Sequence, residues 1–195
     1  MDFLALAAQC GPSVHPLTTQ AIVRVESGFK PLVIRNNSLR KTYSPANMAG
    51  AVGLVKRFHA SGHELAIGLM QVTTPWLARY QIGPAELLDS CTNIRIGTAI
   101  LADNYRRFIP SSTQPEEALA KALSAYWSGS SHNGGAYVNQ VYLRAGSTVR
   151  VPVTAGVTDG LLGVSRGRKA AIPAPDAARK SLYFSADAGH RFPDH

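Results

Sequence analysis

Residues 16–28 read PLTTQAIVRVESG, and this segment predicts an amphipathic helix that ends on a carboxyl group. Pro16 suits the first turn of a helix, because its ring fixes a helical φ and its missing N–H would have no partner there. Gly28 is a typical residue just beyond a helix end, so Glu26 falls in the last turn. The apolar residues in between recur every four positions and share one face; they are Leu17, Ala21 and Val25.

Glu26 meets two conditions that raise the pKa of a carboxyl group. The C-terminal end of a helix carries partial negative charge, and burial beside Val23 and Val25 would disfavour the anion. A glycosidase needs a carboxyl group that still holds its proton near neutral pH, so Glu26 is a candidate general acid. Taken alone, the residue is described more simply as an exposed glutamate at a frayed helix end.

The chain carries similar helical signals up to about residue 145. Two short apolar segments, residues 32–35 and 65–70, break the pattern, and we expect them to form two strands of a small ribbon. The predicted helices are residues 3–9, a helix opened by Ser44-Pro45 and closed by Gly62, a short helix at 74–80, helices over 94–108 and 115–126, and a last one at 136–144. In the predicted helix that Ser44-Pro45 opens, one face holds Met48, Val52, Val55 and His59.

The composition indicates a globular protein with an anionic partner. Apolar residues make up 45% of the 195 residues, which is enough for a buried core. The net charge of +8, from 20 Lys and Arg against 12 Asp and Glu, favours an acidic wall polymer, a nucleic acid or an anionic lipid. The basic residues are scattered, with nothing larger than pairs such as Arg106-Arg107, so a nucleic-acid binder is the least favoured.

The two ends of the chain differ from its middle. Residues 1–8 lack the basic segment and the longer apolar run of a secretory signal, and no stretch approaches the about 18 apolar residues of a membrane span. Gly, Pro and Ala dominate beyond residue 148, so we expect residues 1–148 to form one folded domain and residues 149–195 a flexible tail.

The two cysteines of the chain, Cys10 and Cys91, fit a disulfide or two buried thiols equally well.

Two further segments carry groups that suit a sugar ligand. GLMQV (residues 68–72) follows a strand-like run; its glycine lets the backbone approach a ligand, and Gln71 has amide donors and an acceptor for sugar hydroxyls. AYWSG (residues 125–129) ends a helix, where the Tyr126 hydroxyl can orient a buried carboxyl group. Each segment alone is described as well by ordinary core packing.

The order and spacing of these segments resemble the three motifs of the lysozyme-like lytic transglycosylases. Glu26-Ser27 comes first, GLMQ follows about 45 residues later, and Ala125-Tyr126 about 55 residues beyond that. The segments GHELAIGLMQV (residues 62–72) and CTNIRIGTAIL (residues 91–101) are similar to the subgroup found in type IV secretion and conjugation systems. The resemblance covers residues 3–145, and the ordered set is specific where each motif alone is not.

This resemblance implies a mainly α (α+β) lysozyme-like fold with a small β-hairpin beside a cleft. It implies cleavage of the β-1,4 bond from N-acetylmuramic acid to N-acetylglucosamine in peptidoglycan, with a 1,6-anhydro-muramyl product and neither cofactor nor metal. Glu26 would act first as general acid and then as general base for the muramic C6 hydroxyl, so the second carboxylate of most glycosidases is not required. In agreement, no Asp or Glu lies between Glu26 and Glu64.

The resemblance also assigns the other side chains of the cleft. Tyr126 would orient the acid, and Asn93 matches a structural asparagine. Trp127 departs from the family, which usually has asparagine there; an indole cannot replace the hydrogen bonds of an amide, but it can stack on a sugar ring. The expected substrate-binding residues are Ser27, Met70, Gln71, Tyr126, Trp127 and Tyr137.

An enzyme of the cell wall works outside the cytoplasm, so the resemblance implies a periplasmic protein and favours a Cys10–Cys91 disulfide. Its expected partners are peptidoglycan strands and, through residues 149–195, components of a secretion system. We expect no nucleic acid as a partner and no membrane span. His59 and His63 have no evident third ligand, so we expect no metal site there.

Two alternatives remain open. The first is a goose-type lysozyme that hydrolyses the same bond; its product would be heavier by one water. The second is an assembly or binding protein of the secretion system that keeps the fold but has little activity, which Trp127 and the tail suggest.

Overall fold

The structure is a computed structural model that describes residues 2–147, and there it confirms a mainly helical chain with a small β element. The predicted tail at 149–195 lies outside the described residues. The helices are α1 (Phe3–Cys10), α2 (Pro16–Glu26), α3 (Met48–Ala60), α4 (Leu77–Tyr80), α5 (Ser90–Phe108), α6 (Pro115–Ser128) and α7 (Gly135–Arg144), with short 3₁₀ helices at Thr74–Trp76, Pro84–Leu88 and Ile109–Ser111. The strands are β1 (Ile34–Asn36), β2 (Lys41–Tyr43), β3 (Leu65–Ile67) and β4 (Val72–Thr73).

Helix α2 begins and ends where the sequence predicts. Its first turn contains Pro16, and the Nδ1 atom of His15 accepts a hydrogen bond from the Leu17 N–H at 3.3 Å. The buried face is rotated from the predicted one: Leu17 is 38% exposed, whereas Ile22 is fully buried. Helix α2 packs against α1 and α7.

The β element has four strands, where the sequence predicts two. The two predicted segments do pair, antiparallel, with Ile34 opposite Ile67. Strand β2 adds to β1, and β4 adds to β3, which gives the order β2-β1-β3-β4. Ile34 and Asn36 are buried and Arg35 between them is exposed, so the middle of the sheet presents an arginine on its open face.

The predicted start of α3 at Ser44-Pro45 is wrong by a few residues. The helix begins at Met48 because Asn47 caps it: the Asn47 Oδ1 accepts from the Gly50 N–H at 2.9 Å. Met48 and His59, at the two ends of the predicted stripe, are exposed, and the buried residues are Ala51, Val55 and Phe58.

Helix α5 is the central element of the core. Asp89 caps it through the Thr92 N–H at 2.8 Å, and α1, α6 and the 3₁₀ helix Pro84–Leu88 pack around it. The predicted disulfide is confirmed: Cys10 at the end of α1 bonds to Cys91 in the first turn of α5, with 5.2 Å between the Cα atoms. Between residues 2 and 147, no helix has both the length and the apolar character needed to cross a membrane.

Candidate active site

Glu26 lies at the C-terminal end of α2, half-buried. The chain turns sharply after it, since Gly28 and Phe29 adopt left-handed φ values of +58° and +65°. Burial raises the pKa of the Glu26 carboxyl from its ordinary 4.5 to about 7, and Tyr137 and Arg35 oppose this only in part. The carboxyl group therefore holds its proton near neutral pH, as a general acid must.

Tyr137, in the first turn of α7, places its hydroxyl near the Glu26 carboxyl. Its side chain is buried. No described group lies at ordinary hydrogen-bond geometry to its hydroxyl, but the hydroxyl is close enough to the Glu26 carboxyl to lower the pKa of Glu26. Burial and the nearby Glu26 raise the pKa of Tyr137 well above its usual value, so the hydroxyl stays protonated.

Trp127 covers Tyr137 from the end of α6. The two rings are stacked, with centroids 5.9 Å apart and planes at 16°. The indole is 37% exposed, so part of it remains accessible to a ligand. Trp127 thus packs against the tyrosine near Glu26, a contact that an asparagine could not make.

Arg35 is the cation of the site, and sequence reasoning missed it. It projects from the centre of the sheet, and its positive charge lowers the pKa of Glu26. Strand alternation in residues 34–36 is the signal that could have placed it on the open face.

The turn of GLMQ is held by hydrogen bonds to the neighbouring strand region. Gly68 has φ +80°, and its N–H donates to the Val33 carbonyl at 2.9 Å. Gln71, with φ +48°, donates its Nε2 to the carbonyls of Gly68 at 2.9 Å and Val33 at 3.3 Å. Its amide protons are thus used within the loop, and Oε1 is the part of the side chain left to accept from a sugar hydroxyl.

Met70 differs from the predicted cleft-lining residue. Its side chain is fully buried and packs against Gly97 of α5, where an added Cβ would come within 2.6 Å of the sulfur. Only its backbone acts at the site, because its carbonyl accepts from the Tyr126 hydroxyl at 2.7 Å. Since a phenol has one proton, the Tyr126 hydroxyl anchors the GLMQ loop and has no proton left to donate to Glu26.

Ser27 also has an internal role. It is buried at the helix end, and its hydroxyl donates to the Val23 carbonyl at 3.1 Å. The backbone N–H of Ser27 donates to the same carbonyl at 3.1 Å. Ser27 therefore shapes the end of α2 and fixes the direction in which Glu26 leaves it.

Asn93 joins three backbone segments behind the site. Its Oδ1 accepts from the Met70 N–H at 2.8 Å, and its Nδ2 donates to the carbonyls of Ile67 and Leu87, both at 2.8 Å. The side chain is fully buried, and an added Cβ on Gly68 would lie 2.4 Å from Nδ2. The predicted structural role of Asn93 thus has a specific form: it fixes the GLMQ loop to α5.

We expect Asn93→Ala to destabilise the protein by about 3 kcal/mol, because it leaves three buried backbone groups without partners. The melting temperature should fall by about 8 °C. Calorimetry on the purified variant measures this. Asn104→Ala is the matched control, since Asn104 lies half-buried on the same helix and should melt within about 2 °C of the parent protein. If Asn93→Ala lowers the melting temperature no more than Asn104→Ala does, the Asn93 hydrogen bonds do not stabilise the domain.

The surroundings of Glu26 therefore combine one carboxyl group that holds its proton, a neutral tyrosine and an arginine. Such a set can protonate a glycosidic oxygen and then accept a proton. Among residues 2–147, no three potential metal ligands of the His, Cys, Asp and Glu types come together.

Comparison with known proteins gives a consistent picture. The family model described as "Transglycosylase SLT domain" matches residues 3–142. The type IV secretion system protein virB1 of Brucella abortus is 34% identical over 186 residues, covering 89% of this chain and 78% of that protein. Protein virB1 of Agrobacterium fabrum is 33% identical over 162 residues, covering 81% and 64%. No solved structure gives a significant match.

Proposed function

The chain belongs to the transglycosylase SLT domain family, and from this premise we propose that it is a peptidoglycan lytic transglycosylase that uses Glu26 as its single catalytic carboxyl group. The observation that carries the proposal is the raised pKa of Glu26, about 7, at a half-buried helix end that Tyr137 and Arg35 face. A carboxyl group of this kind can donate a proton at neutral pH and then hold a negative charge.

In the first step, Glu26 donates its proton to the glycosidic oxygen between N-acetylmuramic acid and N-acetylglucosamine. The bond from C1 to that oxygen breaks, and positive charge develops at the muramic C1. The carboxylate that remains is stabilised by the Arg35 charge and by the Tyr137 hydroxyl, since both lower the pKa of Glu26. Both groups therefore favour proton transfer to the leaving oxygen.

In the second step, the Glu26 carboxylate takes the proton of the muramic C6 hydroxyl. The C6 oxygen then bonds to C1 and closes a 1,6-anhydro ring, which restores the protonated carboxyl group. Atoms balance without water. This route needs one carboxyl group, whereas the hydrolysis by most glycosidases needs two, and no Asp or Glu lies between Glu26 and Glu64.

Mass analysis of the fragments released from purified peptidoglycan sacculi tests the proposal. We expect anhydro-muropeptides. Fragments heavier by one water, with a reducing end, would identify a hydrolase of the goose-type lysozyme class instead. Absence of release, together with retained binding to sacculi, would identify a binding or assembly protein.

The relatives suggest where the enzyme acts. Both virB1 proteins resemble this chain over most of its length, and the Brucella protein is by name a component of a type IV secretion system. We infer that this enzyme opens peptidoglycan locally, in the periplasm, for such an apparatus. The Brucella alignment covers 89% of the chain and so extends beyond residue 148. We propose that this C-terminal segment contacts the apparatus.

Replacement of Arg35 by glutamine should shift the pH dependence of turnover. Arg35 lowers the pKa of Glu26, so its loss raises that pKa further. Activity requires the protonated carboxyl and falls as the pH rises through about 7; in Arg35→Gln this fall should move to higher pH. Initial rates over a pH series measure the shift.

Arg24→Gln is the matched control for the pH series. Arg24 is an exposed arginine of the last turn of α2, and its guanidinium packs over the Phe29 ring, 5.5 Å from the centroid. In this variant, activity should fall at the same pH as in the parent protein. If activity falls at that pH in Arg35→Gln as well, Arg35 does not act on the Glu26 carboxyl.

A further inference from the structure

We propose that Ser124 is a positioning residue for the reaction: its hydroxyl fixes the start of α7, the helix that carries Tyr137 near Glu26. The inference rests on the proposed function, since it concerns a group beside the carboxyl that we propose as catalytic. Ser124 lies in α6 and is 3% exposed, so it acts through the backbone that it holds and not by contact with the glycan.

The Ser124 hydroxyl joins α6 to both ends of the loop at 129–134, which connects α6 to α7. Its Oγ donates to the Ser130 carbonyl at 2.6 Å, and it accepts from the Gly134 N–H at 2.8 Å. A serine hydroxyl has one proton to donate, and here that proton is used at one end of the loop while the oxygen accepts at the other. One buried side chain therefore closes the whole connection.

The loop also lies directly against α6 at Gly134. An added Cβ on Gly134 would lie 2.7 Å from the Ser124 Cα and 2.9 Å from its Oγ, so the backbone can come this close only without a side chain. Gly134 immediately precedes α7, and its carbonyl accepts from the Val138 N–H at 2.9 Å. The hydrogen bond from Gly134 to Ser124 thus fixes the residue from which α7 begins.

The place of Tyr137 depends on where α7 begins, because Tyr137 is the third residue of that helix. No hydrogen bond of ordinary geometry to a described residue fixes its hydroxyl. What holds the side chain is the backbone of α7 and the packing of its ring on Trp127, a residue of α6, at 5.9 Å between centroids. Since α7 packs against α2, which ends at Glu26, a shift of α7 changes the distance from the Tyr137 hydroxyl to the carboxyl.

Hydrogen exchange of the unmodified full-length enzyme gives the first test. After correction for intrinsic rates, the Gly134 amide should exchange about a hundredfold more slowly than that of His132, whose N–H bonds to the Ser130 Oγ at the exposed surface. In Ser124→Ala the two amides should exchange at similar rates. Equal exchange of the two amides in the unmodified enzyme would overturn the proposal, and this measurement needs no variant to fold.

The kinetics of Ser124→Ala give the second test, with soluble peptidoglycan as the substrate. We expect kcat to fall about tenfold with KM unchanged, because the variant displaces a group near the reacting carboxyl and removes no contact with the glycan. Tyr137 lowers the pKa of Glu26, so its displacement raises that pKa. Activity requires the protonated carboxyl, and its fall with rising pH should therefore occur at higher pH than in the unmodified enzyme.

A double-mutant cycle with Tyr137→Phe separates positioning from a general loss of stability. Tyr137→Phe removes the hydroxyl and should itself move the fall of activity to higher pH. If Ser124 acts through that hydroxyl, the Ser124→Ala, Tyr137→Phe double variant should lose activity at the same pH as Tyr137→Phe alone. A further, additive shift in the double variant would overturn the proposal.

Ser128→Ala is the matched control. Ser128 is an exposed serine one turn further along α6, and its hydroxyl donates to the Ser124 carbonyl at 2.8 Å. This variant removes a hydrogen bond from the same corner and leaves the Gly134 N–H with its partner. Its kcat and pH dependence should equal those of the unmodified enzyme. An equal loss in Ser128→Ala, or a Ser124→Ala variant that melts lower but keeps kcat and pH dependence, would contradict the positioning role.

The unmodified enzyme distinguishes failure of this inference from failure of the proposed function. If it releases no anhydro-muropeptides, the proposed function fails and the role of Ser124 fails with it. If it releases them and Ser124→Ala does so with the same kcat and the same pH dependence, the proposed function stands and only the role of Ser124 is wrong.

Discussion

Replacement of Glu26 by glutamine should lower the release of anhydro-muropeptides by about a thousandfold, the contribution typical of a general acid and base. Glutamine has nearly the shape of the acid but can neither donate a proton to the glycosidic oxygen nor accept one from the C6 hydroxyl. Both steps of the proposed reaction are therefore lost together. Liquid chromatography with mass detection of digested sacculi measures the effect over this range.

The same variant should fold at least as well as the parent protein. The pKa of Glu26 is about 7 in the folded protein against an ordinary 4.5, so the unfolded chain loses this proton at lower pH. The stability that the protonated carboxyl contributes is complete below about pH 4.5 and is lost as the pH rises through about 7. Glutamine does not titrate, so the variant should gain melting temperature relative to the parent between about pH 4 and pH 8.

Glu64→Gln is the matched control for Glu26→Gln. Glu64 is exposed and accepts from the Asn37 amide at 2.9 Å, a contact that the glutamine oxygen can keep. We expect nearly full activity in this variant. Full activity in Glu26→Gln, or an equal loss in the control, would rule out Glu26 as the catalytic residue.

Removal of the Cys10–Cys91 disulfide should have the largest effect on stability. The two cysteines are 81 residues apart, so the bond closes most of the domain into one loop and restricts the unfolded chain. The loop-entropy relation gives about 4 kcal/mol for a loop of this length. Denaturant unfolding of the Cys10→Ala, Cys91→Ala double variant, compared with the oxidised parent, measures the difference.

Reduction provides the control for this experiment. A reducing agent should lower the unfolding midpoint of the parent protein to nearly that of the double variant, and it should leave the double variant unchanged. If the parent protein has the same midpoint with and without reductant, the bond does not stabilise the domain. Turnover should persist in the double variant at low temperature, since the disulfide lies at the junction of α1 and α5 and not at Glu26.

Local features of the sequence predicted the helices well. Pro16 and Gly28 bracket α2, Pro115 begins α6, and Gly129 ends α6 in the left-handed conformation. These signals are readable because caps and turn residues act on their immediate neighbours. The predicted start of α3 is wrong because two polar residues near the boundary, Ser44 and Asn47, can each cap the helix, and the sequence does not show which of them does.

The sheet was predicted less completely. Its two inner strands are apolar and were found, but β2 contains Lys41 and Thr42, both exposed, and β4 has two residues. Strands this short carry no periodic signal. They form because the edges of β1 and β3 offer unpaired backbone groups, which is a property of the assembled sheet.

The sequence by itself determined the class of the protein: the order of its motifs, Glu26 as the candidate acid, Cys10 with Cys91 as the candidate bridge, and Asn93 as a structural residue. Only the tertiary structure decided which neighbours meet Glu26. Tyr137 faces it while the proton of Tyr126 goes to the Met70 carbonyl, and Arg35 reaches it from the sheet. The reason is that a hydroxyl has one proton and a charge acts over a few ångströms, so these roles depend on how α2, α6, α7 and the sheet are packed, and residue order does not specify that packing at this precision.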